Sequence, residues 1–155
     1  MTIHRHDPPG APRPTGAYSL VAQAPPGISL AWLSGQTGRR DDGSYPASID
    51  DQTVVALDSL SALIAGIGAS TREILAFRVY LVGRENMEGF RAARDSRLRS
   101  WYPQGDYPAS TLALVSGLAH PSAKVEIEAI VGLTSDDREA PAPSNELFDT
   151  SPDTK

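Results

Sequence analysis

Three absences limit what this chain of 155 residues can be. The sequence contains no cysteine, which excludes a disulfide framework and any metal site ligated by cysteine. It has no apolar run near the roughly 20 residues that a membrane-spanning helix needs. The first residues include His4, Arg5, His6 and several prolines, where a signal peptide would have an apolar core. We therefore expect a soluble, cytoplasmic protein that forms one domain.

An excess of positive charge is also lacking. The formal net charge is −5, but residues 135–155 hold six acidic and two basic side chains, so residues 1–134 carry about −1. A nearly neutral body attracts neither nucleic acid nor anionic lipid, so we expect neither as a partner. The acidic segment 135–155 cannot bury enough apolar surface to order itself, and we predict that it is a disordered tail.

Little order is expected at the other end of the chain. Residues 1–14 contain four prolines and few apolar residues, and we predict an irregular arm there. His4 and His6 would share a face in an extended chain, but two histidines are fewer ligands than a metal site needs. The sequence therefore predicts no metal site there. By length, residues 15–134 are predicted to form a single domain.

Hydrophobic periodicity divides this domain into extended and helical segments. Strands are predicted at residues 18–24, 28–34 and 75–82, and helices at about residues 48–68 and 85–101. Ser48 or Asp50 can cap the first helix, and Gly68 can end it. Its apolar residues recur at helical spacing and form one stripe, made of Val54, Leu57, Leu60, Leu63, Ile64 and Ile67.

Two further strands are predicted near the end of the domain, at residues 107–115 and 124–131. In the second strand, apolar residues alternate with Glu126 and Glu128, so the two carboxylates lie on the face opposite the apolar residues. Only about eight residues separate the two strands, a length that is typical of an antiparallel connection. We therefore predict that they pair with each other.

The order of the elements predicts the architecture. Two strands, a helix, a strand, a helix and two strands indicate an α+β fold, with one mixed sheet and two helices packed on one face. The opposite face of the sheet would present Tyr80, Val82 and Ile130, which are too apolar to remain in water. We expect self-association to cover this face.

Five short segments occur in the same order as in a known family. They are Gly16-Ala17-Tyr18-Ser19, Ser34-Gly35-Gln36, Val79-Tyr80-Leu81, Pro108-Ala109-Ser110 and Val125-Glu126-Ile127-Glu128-Ala129-Ile130. With them the chain resembles the Rid family, also called YjgF/YER057c/UK114, from about residue 16 to residue 133. The resemblance implies a chorismate-mutase-like (YjgF-like) fold and a homotrimer whose sheets form an inner barrel, with three clefts between subunits. It also implies hydrolysis of enamines and imines, such as 2-aminoacrylate, to 2-ketoacids and ammonia without a cofactor.

The resemblance also suggests roles for individual residues. Glu126 matches the carboxylate that positions the attacking water, and it is the candidate catalytic residue. The candidate substrate-binding residues are Tyr18, Ser34, Gly35, Gln36, Arg94, Ser110 and Thr111. Tyr18 could equally pack within its strand, and the Ser34-Gly35-Gln36 segment could simply end a strand. Glu128 is expected to be structural or solvated.

Two positions depart from the family pattern. Active members have Pro-Ala-Arg-Ser where this chain has Pro108-Ala109-Ser110-Thr111, and that arginine holds the substrate carboxylate through a bidentate pair. In the second helix Arg94 stands four residues after Phe90, where the family usually has asparagine. The guanidinium could thus have moved from one wall of the pocket to another, although Arg94 could also be a solvated helix residue.

Two classes of function remain open. In the first, the protein is a Rid-like hydrolase or deaminase that acts on a small imine, enamine or related carbonyl-derived metabolite, with a specificity altered from 2-aminoacrylate. In the second, it is a non-catalytic trimer that binds a metabolite or a partner. Glu126, Tyr18 and the Ser34-Gly35-Gln36 segment favour a catalyst, whereas Ser110 in place of arginine favours the second class or a changed substrate.

Overall fold

The computed structural model describes residues 2–134, and the predicted acidic tail at 135–155 lies outside the described residues. Residues 2–134 form six strands and two α-helices. In chain order they are β1 (His4–His6), β2 (Val21–Gln23), β3 (Ser29–Thr37), α1 (Ile49–Gly66), β4 (Ile74–Val82), α2 (Met87–Trp101), β5 (Ala109–Val115) and β6 (Val125–Leu133). Among residues 2–134, no helix combines the length and the apolar character that crossing a membrane would require.

The main sheet has four strands in the order β3-β6-β4-β5. The central strand β6 runs antiparallel to both neighbours, and β4 and β5 run parallel to each other. Both helices pack on one face, with α1 against β3 and β6 and with α2 against α1. The predicted α+β fold, a mixed sheet with two helices on one face, is therefore confirmed.

The predicted pairing of the last two strands is wrong. Strand β4 lies between β5 and β6, and the loop before β6 crosses the end of β4, where the amide of Val82 donates to the carbonyl of Lys124 at 2.9 Å. The helix α2 connects β4 to β5, and a helical crossover of this kind places two neighbouring strands parallel. Strand β5 thus lies at the edge of the sheet on one side of β4, and β6 pairs with the other side of β4 and not with β5.

Local chemistry explains where the first helix begins and which face it buries. The Ser48 side chain accepts a hydrogen bond from the amide of Asp51, and two acidic residues lie in the first turn, where they favour the positive end of the helix dipole. Leu57, Leu60 and Ile64 recur every three or four residues and are completely buried. Leu63 and Val54, at the margins of the predicted stripe, remain partly exposed.

Strand β6 follows the predicted alternation. Val125, Ile127, Ala129 and Val131 are all buried beneath the helices, whereas Glu126, Glu128 and Ile130 face the other side. This second face of the sheet is open. Leu30 and Trp32 of β3 are 53% and 59% exposed on it, and Tyr80, Val82 and Ile130 are only half-buried.

A charged pair interrupts this apolar open face. Arg78 of β4 lies opposite Glu128 of β6, with a terminal nitrogen 3.7 Å from a carboxylate oxygen. The Arg78 guanidinium also lies 5.5 Å from the centre of the Trp32 ring, within the range of a cation–π contact. Glu128 therefore has a charged partner across the sheet.

The prediction of an irregular arm over residues 1–14 is wrong for His4–His6, which form β1 and pair antiparallel with β2. Arg5, between the two histidines, explains why this segment forms an ordered strand. Only 2% of the Arg5 side chain is exposed, and its guanidinium donates to the carbonyls of Arg72 and Ile74 at 2.6 and 2.8 Å. It also pairs with Asp106 at 3.3 Å.

Tyr102 completes the network around Arg5. Its ring is buried below the guanidinium, whose carbon lies 5.0 Å from the ring centre, and its hydroxyl donates to the carbonyl of Thr71. Burial raises the pKa of Tyr102, so that the hydroxyl stays protonated and remains a donor. The first strand is therefore held by a cation whose hydrogen bonds all connect distant parts of the chain.

We predict that Arg5→Met lowers the free energy of unfolding by about 3 kcal/mol, because two carbonyls lose a buried charged donor and Asp106 loses a partner. Urea denaturation followed by circular dichroism measures this change. Arg72→Met is the matched control, since Arg72 pairs with the same Asp106 but is 45% exposed; its cost should stay below about 1 kcal/mol. Equal effects of the two substitutions would contradict the role given to Arg5.

Candidate functional site

The candidate residues fall into two groups on opposite sides of the sheet. The first group surrounds a cavity of about 300 Å³ on the helix side of β5, which we call the arginine pocket. Its lining residues come from three elements: Thr15, Gly16 and Tyr18 from the loop before β2; Arg91, Arg94 and Asp95 from α2; and Ser110 and Leu112 from β5. Three of the predicted residues, Tyr18, Arg94 and Ser110, thus lie together.

The loop that carries Tyr18 follows the free edge of β5. Ser19 bridges Ala109 in parallel, and its amide donates to the carbonyl of Pro108 at 3.2 Å. The hydroxyl of Tyr18 accepts from the amide of Thr15 at 3.3 Å and lies 3.4 Å from the Thr15 hydroxyl. These hydrogen bonds hold the pKa of Tyr18 below its usual value and direct its ring along the pocket.

Arg94 lies inside the pocket. Only 12% of its side chain is exposed, and the guanidinium carbon lies 5.4 Å from the centre of the Phe90 ring. Nε and Nη2 of Arg94 both contact the same oxygen of Asp95, at 2.8 and 2.7 Å. Together with Ser110, Arg94 also borders a small void above the core residue Phe77. Arg94 is therefore a partly buried, paired cation and not a solvated helix residue.

Adjacent residues of β5 face opposite sides of the sheet, as a strand requires. Ser110 is in register with the buried Phe77 and faces the helices, whereas Thr111 is in register with Arg78 and is exposed on the open face. The predicted pair Ser110 and Thr111 is thus divided, and only Ser110 lines the arginine pocket.

The second group lies at the open face and at the far edge of the sheet. The register of β3 against β6 shifts between Leu33 and Gln36, and this bulge contains Ser34 and Gly35. The Gln36 side-chain amide donates to the carbonyls of Ser34 and Gly35 at 3.1 and 3.2 Å. Gln36 therefore stabilises the bulge through its own backbone.

Glu126 lies against this bulge. A methyl group added at Gly35 would lie only 2.7 Å from the carboxyl carbon of Glu126, so the absence of a side chain at Gly35 is what permits this position. We call Ser34, Gly35, Gln36 and Glu126 the glutamate platform. It presents one carboxylate over a kinked backbone whose hydrogen-bonding groups are displaced from the regular ladder.

Three residues beside the glutamate platform had no predicted role in the site. Thr37 is directly opposite Glu126 in the sheet, and its hydroxyl lies 3.3 Å from that of Tyr45. The Tyr45 ring stacks on His120 with 4.5 Å between ring centres. Sequence spacing could not place these residues together, because they come from a strand and two separate loops.

The sheet separates the two groups. The glutamate platform is on β3 and β6, and the arginine pocket is at the outer edge of β5. Glu126 is on β6, two positions from β5, which corresponds to about 10 Å between backbones, and its side chain leaves the sheet on the face opposite to that of Ser110. A small ligand held by Arg94 of one chain therefore does not reach Glu126 of the same chain.

Potential metal ligands are not grouped in the part of the chain that the structure describes. No cluster of three or more histidine, cysteine, aspartate or glutamate side chains occurs among residues 2–134. His4 and His6 stack on each other, with 4.5 Å between ring centres. The arginine pocket and the glutamate platform together therefore offer carboxylates, hydroxyls and guanidinium groups.

Comparison with solved structures identifies the same fold in several bacterial proteins. The Rid family protein YyfB from Yersinia pestis is 22% identical, with a TM-score of 0.73 over 86% of this chain and 100% of that chain. TdcF from E. coli, solved with bound serine, is 24% identical, with a TM-score of 0.62 over 86% of this chain and 99% of that one. A Mycobacterium tuberculosis member of the YjgF/YER057c/UK114 family is 20% identical, with a TM-score of 0.55 over 76% and 87% of the two chains. At these identities the likeness concerns the fold alone.

A comparison with curated proteins finds no significant match. The family model described as Endoribonuclease L-PSP, in contrast, matches residues 9–133, which include every residue of the arginine pocket and of the glutamate platform. The match confirms the resemblance seen in the short segments along the sequence. The chain therefore belongs to the Endoribonuclease L-PSP family, which is the YjgF/YER057c/UK114 or Rid family.

Proposed function

We propose that the protein is a cytoplasmic, cofactor-independent hydrolase of the Rid type, which acts on a small imine, enamine or related carbonyl-derived metabolite. The observation that carries this proposal is the position of Arg94. Its guanidinium lies in the same cavity as Ser110. Residue 110 is the position at which the family usually has its substrate-binding arginine. A cation is thus retained in the pocket, although it comes from a helix and not from a strand.

The proposed site lies between two copies of the chain. The arginine pocket binds the substrate, with Arg94 beside its carboxylate and with Tyr18 and Ser110 beside its polar groups. The glutamate platform of a neighbouring copy supplies Glu126. Two features support this arrangement: the sheet separates the two groups within one chain, and the open face exposes Leu30 and Trp32 to water. We propose a homotrimer in which the open faces pack against one another.

The reaction proceeds by addition and elimination. Glu126 acts as general base and takes a proton from water while the water oxygen bonds to the carbon of the C=N group. The C=N π electrons move to nitrogen, which takes up a proton, and the product is a carbinolamine. Its nitrogen then accepts the proton held by Glu126, the C–N bond breaks with release of ammonia, and the hydroxyl gives up its proton as the carbonyl forms. An enamine must first be protonated at carbon to reach the imine form. Ser34 and the backbone of the β3 bulge, including Gly35, orient the water and the reacting carbon.

A second candidate function is a non-catalytic trimer that binds a metabolite. The specific observation in its favour is that Asp95 already contacts Arg94 through two nitrogens. The guanidinium is therefore partly neutralised, unlike an arginine that is free to form a bidentate pair with a substrate carboxylate. Ligand binding without turnover would distinguish this trimer from the hydrolase.

The first prediction concerns assembly. We expect the full-length protein to sediment as a trimer at micromolar concentration and Trp32→Glu to dissociate it, because a charge would be buried in the packed open faces. Leu63→Glu is the control, since Leu63 is also exposed but lies on α1, away from the open face. A wild-type protein that sediments as a monomer would contradict both the trimer and the shared site.

The second prediction concerns Glu126 and its support. We expect Glu126→Gln to lower kcat for imine hydrolysis by about 100-fold or more, the usual range for a general base. Gly35→Ala should have a similar effect with little loss of melting temperature, because its methyl group displaces the Glu126 carboxylate. Gly117→Ala, where an added methyl group meets nothing within 4 Å, should leave kcat unchanged. Full activity in Gly35→Ala would remove the role given to the glutamate platform.

The third prediction concerns the cation. We expect weak turnover of 2-aminoacrylate by the wild type, and about 100-fold weaker binding of carboxylate ligands in Arg94→Ala, the cost of losing a charge-assisted pair. Arg97→Ala is the control, because Arg97 pairs with Asp58 at 2.7 Å outside the pocket. Unchanged ligand affinity in Arg94→Ala would exclude Arg94 from the site.

The reciprocal substitution restores the family pattern. Ser110→Arg should raise turnover of 2-aminoacrylate, and adding Arg94→Asn should raise it further, because the two guanidinium groups would otherwise repel each other in one cavity. If Ser110→Arg raises turnover equally with arginine and with asparagine at residue 94, the pocket has only lost its anion site.

A further inference from the structure

Asp95, which pairs with Arg94, affects which ligands the arginine pocket can bind. Asp95 lines the same cavity, and 30% of its side chain is exposed. We propose that Asp95 is the anionic half of the arginine pocket and that the Arg94–Asp95 pair selects ligands which carry both a carboxylate and a cationic nitrogen. Such ligands are zwitterionic 2-amino acids and the protonated 2-imino acids related to them. The inference rests on the proposed function for the location of the substrate.

The geometry of the pair leaves Nη1 of Arg94, with its two N–H groups, and Oδ2 of Asp95 for a ligand. Nε and Nη2 of Arg94 contact Oδ1 of Asp95. Among the hydrogen bonds of residues 2–134, none involves Nη1 of Arg94 or Oδ2 of Asp95. The other lining groups near the pair are neutral and polar, namely the hydroxyls of Thr15, Tyr18 and Ser110.

The charges explain the selectivity. A ligand that is only an anion is attracted by Arg94 and repelled by Asp95, so that part of the attraction is lost. A zwitterion placed with its carboxylate beside Nη1 and its nitrogen beside Oδ2 is attracted by both groups. Arg91 is the remaining charged residue of the pocket, and it is exposed at the rim, where solvent screens its effect.

The same contact favours the proposed reaction. A carboxylate beside the substrate nitrogen stabilises the protonated iminium form, which water attacks more readily than a neutral imine. One water and one iminium ion then give one carbonyl and one ammonium ion, with the proton held by the general base returned to the departing nitrogen.

The test compares two ligands that differ at one group. L-serine and L-glycerate have the same carboxylate and hydroxymethyl groups, but serine carries an ammonium where glycerate carries a hydroxyl. Isothermal titration of the full-length wild type should give a Kd for serine about tenfold or more below that for glycerate. In Asp95→Asn the order should reverse, with serine bound more weakly and glycerate more tightly than in the wild type.

The reversal separates charge selection from mere support of Arg94. If Asp95 only positioned the guanidinium, Asp95→Asn would weaken both ligands equally, and the proposal would be overturned. Asp58→Asn is the matched control, because Asp58 pairs with Arg97 of the same helix outside the pocket and should leave both affinities unchanged. Equal wild-type affinities, or no binding of serine, would also overturn the proposal.

Failure of this inference is distinguishable from failure of the proposed function. A serine preference that depends on Asp95, in a protein without imine turnover, would leave the pocket inference intact and favour the non-catalytic trimer. Turnover that depends on Glu126, without a serine preference, would support the hydrolase and overturn the inference about Asp95.

Discussion

The burial of one face of β6 is the constraint on which the rest of the structure depends. Val125, Ile127, Ala129 and Val131 are inserted between the neighbouring strands and the helices, and their burial leaves the strand no freedom of register. A slip of one residue would expose all four and bury two carboxylates, a change of many kcal/mol at roughly 25 cal/mol per Å² of apolar surface and with the added cost of buried charge. The same constraint directs Glu126 to the open face and brings it against the bulge at Gly35.

The two faces of the sheet therefore have different chemistry. The helix side is an apolar core with a polar cavity at the edge of the sheet, where α2 and the Tyr18 loop meet β5. A guanidinium at that edge is tolerated because Asp95 accepts a hydrogen bond from Nε, contacts Nη2 and supplies a compensating charge. The open side combines exposed apolar residues with the glutamate platform, a composition that is typical of a surface which is covered in an assembly.

In the proposed site, Arg94 of the helix takes the role that the resemblance gives to an arginine at the position of Ser110, and this changes more than the source of one charge. A strand arginine is held by sheet geometry and can present its planar fork to a carboxylate. Arg94 is instead bound on one edge by its neighbour Asp95, so that the pocket contains a dipolar pair. The proposed preference for zwitterionic ligands depends on this difference between a single cation and a pair of opposite charges.

The sequence by itself determined both helices, the alternation of β6, the α+β class and the family, because these depend on periodicity and short motifs that act over a few residues. Only the tertiary structure decided the position of β5 beside β4, since the path of a helical crossover is not contained in strand patterns. It also decided the docking of β1, which depends on one buried arginine, and the contact between Arg94 and Asp95. Neighbouring residues of a helix point about 100° apart and do not normally meet; this pair does because the long arginine side chain is confined by Phe90 and by the edge of the sheet.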